Sequence, residues 1–76
     1  MKRRRPTIRN SLRTLRSAAD GMTQQALADR VGCTRQTILL LEQERYTPSL
    51  LLAMRIARTF GKTVDEVFAL DDPEPR

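Results

Sequence analysis

The sequence has no histidine, no tryptophan and a single cysteine, Cys33, among its 76 residues. One cysteine cannot form a disulfide within the chain, and the common zinc sites need several cysteine or histidine ligands. Without histidine, general acid-base and nucleophilic catalysis lack one of their usual groups. The sequence also has no phosphate-binding glycine loop. We therefore expect no enzymatic activity, no metal site and no cofactor.

Long hydrophobic segments are also missing. No apolar run approaches the roughly 20 residues that a membrane-spanning helix needs, and the N-terminal residues lack the apolar region of a signal peptide. We therefore expect a cytoplasmic protein that does not bind membranes. A chain of 76 residues predicts one domain with one core, and association with a second chain would supply additional buried surface.

Charge is distributed unevenly along the chain. Residues 1–62 contain 13 of the 14 lysines and arginines and carry about +9, whereas residues 63–76 hold five acidic residues and one arginine. The excess of positive charge in residues 1–62 indicates a polyanionic partner, although an ordinary solvated surface is the alternative. Residues 1–7 are predicted to be a flexible basic arm and residues 71–76 a flexible acidic tail. The basic residues of the arm are Lys2, Arg3, Arg4 and Arg5.

Apolar periodicity predicts an all-α domain over residues 8–70, with five helices and no strand. Apolar residues at helical spacing indicate a first helix, with Asn10 or Ser11 as its cap. Thr23 and Thr34 are predicted caps of the second and third helices, and Pro48 and Ser49 are typical of the start of the fourth. A capping box at Thr63 begins a short fifth helix. The apolar face of the first helix is predicted to contain Ile8, Leu12, Leu15 and Ala19. The predicted bounds of the other helices are 24–31, 35–43, 48–60 and 63–68, and the apolar residues of the fourth cover more than one stripe, which predicts a helix buried against several neighbours.

The second and third helices have the spacing of a helix-turn-helix. Ala28 is small enough to let two helices approach closely, and Gly32 can adopt the positive φ of a sharp turn. Ile38 and Leu41 anchor the following helix in the core. These positions together predict two short helices joined by a tight bend, in which the second helix reads DNA.

The same region resembles the Cro and lambda-repressor-like helix-turn-helix family, also called the xenobiotic-response-element (XRE) type. The resemblance rests on residues 22–28, 31–38, 41–42 and 46–50, with weaker likeness as far as Phe68. It implies a compact five-helix lambda-repressor-like domain, double-stranded DNA as the ligand, a two-fold dimer and a role in regulating transcription. It also implies a prokaryotic or phage-encoded protein.

Helix geometry and the resemblance together predict the residues that bind DNA. With Ile38 and Leu41 buried, the opposite face of the third helix should enter the major groove. The residues expected to read bases are Arg35, Gln36, Leu40 and Gln43, and those expected to bind phosphate are Gln24, Thr34, Thr37 and Arg45. The simpler alternatives are that Thr34 only caps its helix, and that Arg35 and Gln36 form a solvated surface.

Three further residues have alternative interpretations. The resemblance implies that Glu42 pairs with an arginine of the first helix, and Arg16 is the candidate, although the stretch before Thr23 is one residue longer than the common pattern. Cys33 is interpreted as a small buried hydrophobic residue rather than a redox sensor. Leu39 is a candidate contact for a protein partner.

The sequence thus predicts a homodimeric repressor that binds a palindromic operator. Two recognition helices of such a dimer would lie roughly 34 Å apart, one DNA turn. The residues expected to form a self-complementary dimer surface are Val64, Val67, Phe68 and Leu70. The alternative is an antitoxin-like protein that binds a partner protein and represses their shared operon.

Overall fold

The computed structural model describes residues 5–73. Within this range the chain forms five helices and two short strands. In chain order they are β1 (Thr7–Asn10), α1 (Leu12–Ala18), α2 (Gln24–Val31), α3 (Arg35–Glu42), α4 (Leu50–Thr59), α5 (Val64–Val67) and β2 (Phe68–Asp71).

Side-chain caps begin three of the helices. The Thr23 hydroxyl oxygen accepts a hydrogen bond from the backbone N–H of Ala26 at 3.0 Å. Thr34 starts α3 in the same way, and Ser49 starts α4. Each cap satisfies one of the N–H groups that a helix leaves free in its first turn. The predicted starts of α2 and α3 are therefore confirmed, and α4 begins at Leu50, two residues after its predicted bound. At Thr63 the backbone N–H donates to the Glu66 carboxylate at 2.8 Å, which is the Glu66 half of the predicted capping box.

One apolar core connects all five helices. Leu12, Leu27, Ile38 and Ile56 are fully buried, one each from α1, α2, α3 and α4. Full burial of a leucine or isoleucine side chain stabilises a fold by about 1.5 to 3 kcal/mol, so these residues dominate the core. The other buried apolar residues are Ala28, Val31, Leu41, Ala53, Ala57, Val67 and Phe68.

A two-stranded antiparallel sheet corrects the all-α prediction. Strand β1 pairs with β2 in a register that places Thr7 opposite Asp71 and Asn10 opposite Phe68. Ile8 therefore belongs to a strand, and the first helix begins later, at Leu12. The sheet also extends one residue beyond each predicted bound of the domain. Residues 7–10 contain a single apolar residue, Ile8, so no alternating pattern identifies a strand there, and the partner strand is distant in the sequence.

Asn10, the last residue of β1, connects the strand to two helices. Its side-chain oxygen accepts a hydrogen bond from the N–H of Leu12 at 3.2 Å, and its side-chain nitrogen donates to the carbonyl of Leu41 at 2.7 Å. Ser11, the alternative cap, makes no side-chain cap hydrogen bond. Asn10 therefore satisfies one N–H group in the first turn of α1 and ties that turn to the C-terminal end of α3.

Some predicted features fall at or beyond the ends of the described range. Lys2, Arg3 and Arg4 of the predicted arm, and residues 74–76 of the predicted tail, lie outside the described residues. Arg5 is described and is exposed. In residues 5–73, no helix combines the length and the apolar character needed to cross a membrane.

Candidate nucleic-acid interface

The helix-turn-helix is formed by α2, Gly32 and α3. Gly32 closes α2 with φ +78°, and the N–H groups of Gly32 and Cys33 both donate to the carbonyl of Ala28, at 2.9 and 3.1 Å. Ala28 is fully buried. The positive φ at Gly32 turns the chain sharply enough for α3 to cross α2, as the sequence predicted.

The buried side of α3 determines which residues face outward. Ile38 and Leu41 are buried, whereas Arg35 and Gln36 are exposed in the first turn of the helix. Gln43, the residue after α3, is also exposed, and Leu40 is half-buried. The predicted base-reading residues thus lie on or beside one helix whose opposite side is anchored in the core.

Two of the predicted phosphate ligands, Thr34 and Thr37, also form hydrogen bonds with each other at the start of α3. The Thr34 hydroxyl accepts a hydrogen bond from the N–H of Thr37 at 3.2 Å and lies 3.1 Å from the Thr37 hydroxyl. Capping is therefore a role that Thr34 fills in the absence of DNA. Arg45 is exposed in the loop after α3, where its N–H donates to the carbonyl of Leu40.

An ion pair whose side chains are mostly shielded from solvent links α1 to the last residue of α3. The Arg16 side chain donates from Nε to Glu42 Oε2 at 2.6 Å and from Nη2 to Glu42 Oε1 at 2.9 Å. Its third nitrogen, Nη1, donates to the carbonyl of Met22 at 2.8 Å. The pairing inferred from the resemblance is thus confirmed. The additional residue before Thr23 does not prevent it, and the turn there contains two residues with positive φ, Asp20 and Gly21.

The surroundings of Glu42 keep its carboxyl ionised. Burial alone would raise the pKa of Glu42, but hydrogen bonds from Arg16 and Gln24 and the positive charges of Arg16 and Arg13 outweigh burial and lower it. The hydrogen bond to Glu42 raises the pKa of Arg16, against the opposing effect of burial. Both members of the pair are therefore charged at neutral pH.

Gln24 extends this ion pair toward the outward face of α3. Its Nε2 donates to Glu42 Oε1 at 3.1 Å, and its Oε1 accepts a hydrogen bond from Arg35 Nη1 at 3.2 Å. Gln24 and Arg35 were predicted as separate DNA ligands, and their mutual contact was missed. Their separation of 11 residues carries no periodic signal, because the contact depends on how α2 crosses α3.

Comparison with known proteins decides the family. The helix-turn-helix family matches residues 12–67 of this chain. The chain belongs to this family. The matched segment begins at the first residue of α1 and ends at the last residue of α5, and it contains the helix-turn-helix and the Arg16–Glu42 pair. Membership of the Cro and lambda-repressor-like type, inferred above from the residues, agrees with this match.

Relatives are found in archaea and in bacteria, and their names describe helix-turn-helix regulators. An uncharacterized HTH-type transcriptional regulator of Methanothermobacter thermautotrophicus is 57% identical over 53 residues, which is 68% of this chain and 77% of the relative. One from Archaeoglobus fulgidus is 46% identical over 67 residues, covering 88% of this chain and 94% of the relative. The regulator YgzD of Bacillus subtilis is 40% identical over 65 residues, covering 86% and 97%.

The family match supports a DNA-binding role for this helix-turn-helix protein, and the relatives carry the name of transcriptional regulators. Regulators of this kind are typically not enzymes, in agreement with the expectation from composition. The names do not favour the antitoxin-like alternative. In residues 5–73 there is no group of three or more acidic, cysteine or histidine side chains that could hold a metal ion.

The residues predicted to form a dimer surface divide into two groups in this helix-turn-helix domain. Val67 and Phe68 are only 3% and 8% exposed, because they pack into the core of the same protomer. Leu70 is 65% exposed, and Val64 is half-buried at the edge of the core. Of the four, therefore, only Leu70 presents most of its side chain to the surroundings.

Helix α4 contributes exposed apolar residues that sequence analysis missed. Its many apolar positions were interpreted as a helix buried against several neighbours, but Leu50, Leu51 and Met54 are 70%, 60% and 56% exposed. Leu50 borders an apolar groove that also contains Pro48, Val64 and Phe68. The groove thus joins the start of α4 to the predicted dimer residues.

Cys33 follows the turn glycine and packs against the core, half-buried. Burial raises the pKa of its thiol, so the thiol is protonated and weakly nucleophilic at neutral pH. Both observations support its interpretation as a small hydrophobic residue rather than a redox sensor.

Proposed function

We propose that this protein represses transcription by binding a palindromic operator as a homodimer, with α3 in the major groove. The observation that carries the proposal is the two-sided character of α3. Ile38 and Leu41 hold one side in the core, while Arg35 and Gln36 are exposed in its first turn. Recognition helices of this architecture contact base edges mainly through their N-terminal residues.

Each proposed base contact follows from the chemistry of the side chain. Arg35 carries paired donors that match the O6 and N7 acceptors of guanine, and Gln36 has the donor and acceptor that match adenine. Leu40 would pack on a thymine methyl group, and Gln43 would reach the edge of the site. Each good bidentate pair contributes roughly 1 to 3 kcal/mol of discrimination between bases.

Contacts to phosphate would hold the helix in register. Thr34, Thr37 and Arg45 lie at the two ends of α3, where they could reach the strands that flank the groove. The charge of +5 over the whole chain favours binding to any duplex and makes binding sensitive to salt. The exposed Arg5 and the rest of the basic arm would add to this attraction.

The groove at the start of α4 supports the homodimer. Pro48, Leu50, Val64 and Phe68 line it without a charged side chain, and Leu50 is largely exposed. In a two-fold dimer the same patch meets itself, so an uncharged apolar patch is self-complementary. Leu70, also largely exposed, would extend this interface, and Val67 would support it from the core.

Selection from a random duplex library tests the proposal directly. The full chain should enrich a two-fold symmetric sequence with half-sites centred one helical turn apart, about 10 base pairs. The logarithm of its affinity should fall linearly with the logarithm of salt concentration. Enrichment of no sequence, or of a single asymmetric half-site, would contradict the proposed operator and dimer respectively.

A further inference from the structure

We infer that the outer face of α4 binds an acidic segment of another protein, a segment that also carries apolar side chains. The outer face consists of Leu51, Met54, Arg55 and Arg58, which together line one hollow on the surface. None of the residues assigned above to bases, to phosphate or to the dimer groove lines this hollow. The inference therefore adds a second binding surface and does not depend on operator binding.

The spacing of the four residues places them on one side of α4. They recur at intervals of three and four residues, which brings the side chains of a helix together on one face. The buried residues of the same helix, Ala53, Ile56 and Ala57, lie on the other face. Leu51 and Met54 are 60% and 56% exposed, so they present most of their apolar surface outward.

The two arginines of the outer face are exposed and carry charge that the protomer does not neutralise. Within residues 5–73, no carboxylate forms an ion pair with either arginine. Arg55 reaches across the helix-turn-helix bend, where its Nη1 would lie 3.3 Å from a Cβ atom at Gly32. Two positive charges thus flank an apolar hollow. Charge complementarity calls for a ligand that has carboxylates beside apolar side chains.

Two other occupants match the outer face less well. A second copy that met the same face would bring its own arginines against these, and like charges oppose such a contact. A DNA backbone would satisfy the arginines, but its charged surface does not match Leu51 and Met54. A protein segment supplies both chemistries, because protein interfaces combine an apolar centre with a polar rim.

Selection from a displayed library of random peptides, with the full chain as bait, tests the chemistry of the ligand. The enriched peptides should combine aspartate or glutamate with leucine, isoleucine or phenylalanine. Their affinity should decrease as salt concentration rises. Changes in backbone amide chemical shifts on binding should centre on residues 51–58. Enrichment of no such peptide, or shift changes centred elsewhere, would overturn the inference.

The role of charge is tested by Arg58→Glu, with Arg30→Glu as the matched control. Both arginines are exposed, and each is the basic residue in the last turn of its helix. The two substitutions therefore change the net charge and the interaction with the helix dipole alike. Affinity for an enriched peptide should fall at least about tenfold in Arg58→Glu and less than about twofold in Arg30→Glu. Equal losses would overturn the inference, because overall charge alone would explain them.

The role of apolar contact is tested by Leu51→Ser, with Leu50→Ser as the matched control. The two leucines are adjacent on α4 and similarly exposed, but Leu50 borders the groove assigned to the dimer. Leu51→Ser should weaken binding of the enriched peptide by roughly fivefold or more, because it removes apolar surface from the contact. Weaker peptide binding only in Leu50→Ser would overturn the inference by moving the site to the groove.

The same arginine variants distinguish a protein segment from DNA and from a second copy. Arg58→Glu and Arg30→Glu should weaken binding to duplex DNA to a similar extent, because each changes the total charge equally. A much larger loss of DNA affinity in Arg58→Glu would overturn the inference and assign the outer face to phosphate. A weaker dimer in Arg58→Glu but not in Arg30→Glu, measured by sedimentation equilibrium, would overturn it in favour of a second copy.

Discussion

Arg16 and Glu42 form two hydrogen bonds, of 2.6 and 2.9 Å, between the first helix and the end of the recognition helix. The Glu42 side chain is 1% exposed and that of Arg16 is 15% exposed. A charge removed from water to this extent is stable only when it is paired. The position of α3 relative to α1 therefore depends on this contact as well as on apolar packing.

Arg16→Ala should greatly destabilise the protein. It leaves the Glu42 carboxylate buried without its main cation, and breaking a buried pair in this way costs roughly 3 to 5 kcal/mol. The matched control is Arg13→Ala, because Arg13 lies 3.9 Å from Glu42 but its side chain is 77% exposed. Exposed pairs contribute about 1 kcal/mol or less. Urea unfolding of both variants checks the difference, and equal losses would contradict the assigned role of burial.

Stability should also decrease in acid because of Glu42. Its pKa is lowered in the folded state, so the unfolded chain binds the proton more tightly. The contribution of Glu42 is therefore complete above the ordinary glutamate pKa of about 4.3 and is lost as pH falls through the lower folded value.

The double variant Arg16→Met with Glu42→Leu is the reference for this pH effect, because it removes both charges together. Unfolding free energies measured between about pH 7 and pH 3 should decrease more steeply for the wild type than for the double variant. Parallel curves would mean that Glu42 does not account for the acid sensitivity.

Gly32 and Gly61 provide a comparison at the ends of two helices. Both have positive φ, +78° and +65°, which costs an L-residue about 1 to 2 kcal/mol. A Cβ at Gly32 would also lie 3.3 Å from Arg55 Nη1, whereas a Cβ at Gly61 would have no neighbour within 4 Å. Arg55 Nη1 is the far end of a flexible, exposed side chain and can move aside, so Gly32→Ala and Gly61→Ala should lower the melting temperature by similar amounts. Calorimetry showing no decrease for Gly32→Ala would contradict the role assigned to the helix-turn-helix bend.

Leu50→Lys should disrupt the proposed dimer without unfolding the protomer. Leu50 is 70% exposed, so a lysine at this position fits the monomer surface. In the dimer, the lysine of each protomer would place its charge in the apolar groove. We expect dimerisation to weaken by at least about tenfold, equivalent to 1.4 kcal/mol.

The control for the dimer prediction is Leu51→Lys. Leu51 is similarly exposed on the same helix, but it lies in a different hollow, beside Arg55 and Arg58. Sedimentation equilibrium should show a weakened dimer for the first variant and a normal one for the second. Loss of the dimer only in Leu51→Lys would move the interface to the other side of α4.

Features that depend on local sequence were predicted correctly. The caps at Thr23, Thr34 and Ser49 were predicted because an N-cap bonds to a backbone N–H within the next three residues. The bend at Gly32 and the burial of Ile38 and Leu41 follow from helical periodicity in the same way.

Features that depend on distant residues were not predictable from local patterns. Strand β1 is defined by pairing with residues near the other end of the chain, and its four residues give no independent signal. The burial of Val67 and Phe68, and the exposure of Leu50, depend on which helices cover them. The contact between Gln24 and Arg35 likewise exists only after two helices have packed, and periodicity describes one helix at a time.

The most direct test of sequence-specific binding through α3 is to measure the affinities of wild type and Arg35→Ala for the selected operator and for its single base-pair substitutions. Wild type should discriminate at one position per half-site by about 1 to 3 kcal/mol, and Arg35→Ala should lose that discrimination while retaining it elsewhere. Gln36→Ala should do the same at a different position. A uniform loss of affinity in Arg35→Ala, with every base preference unchanged, would contradict the account.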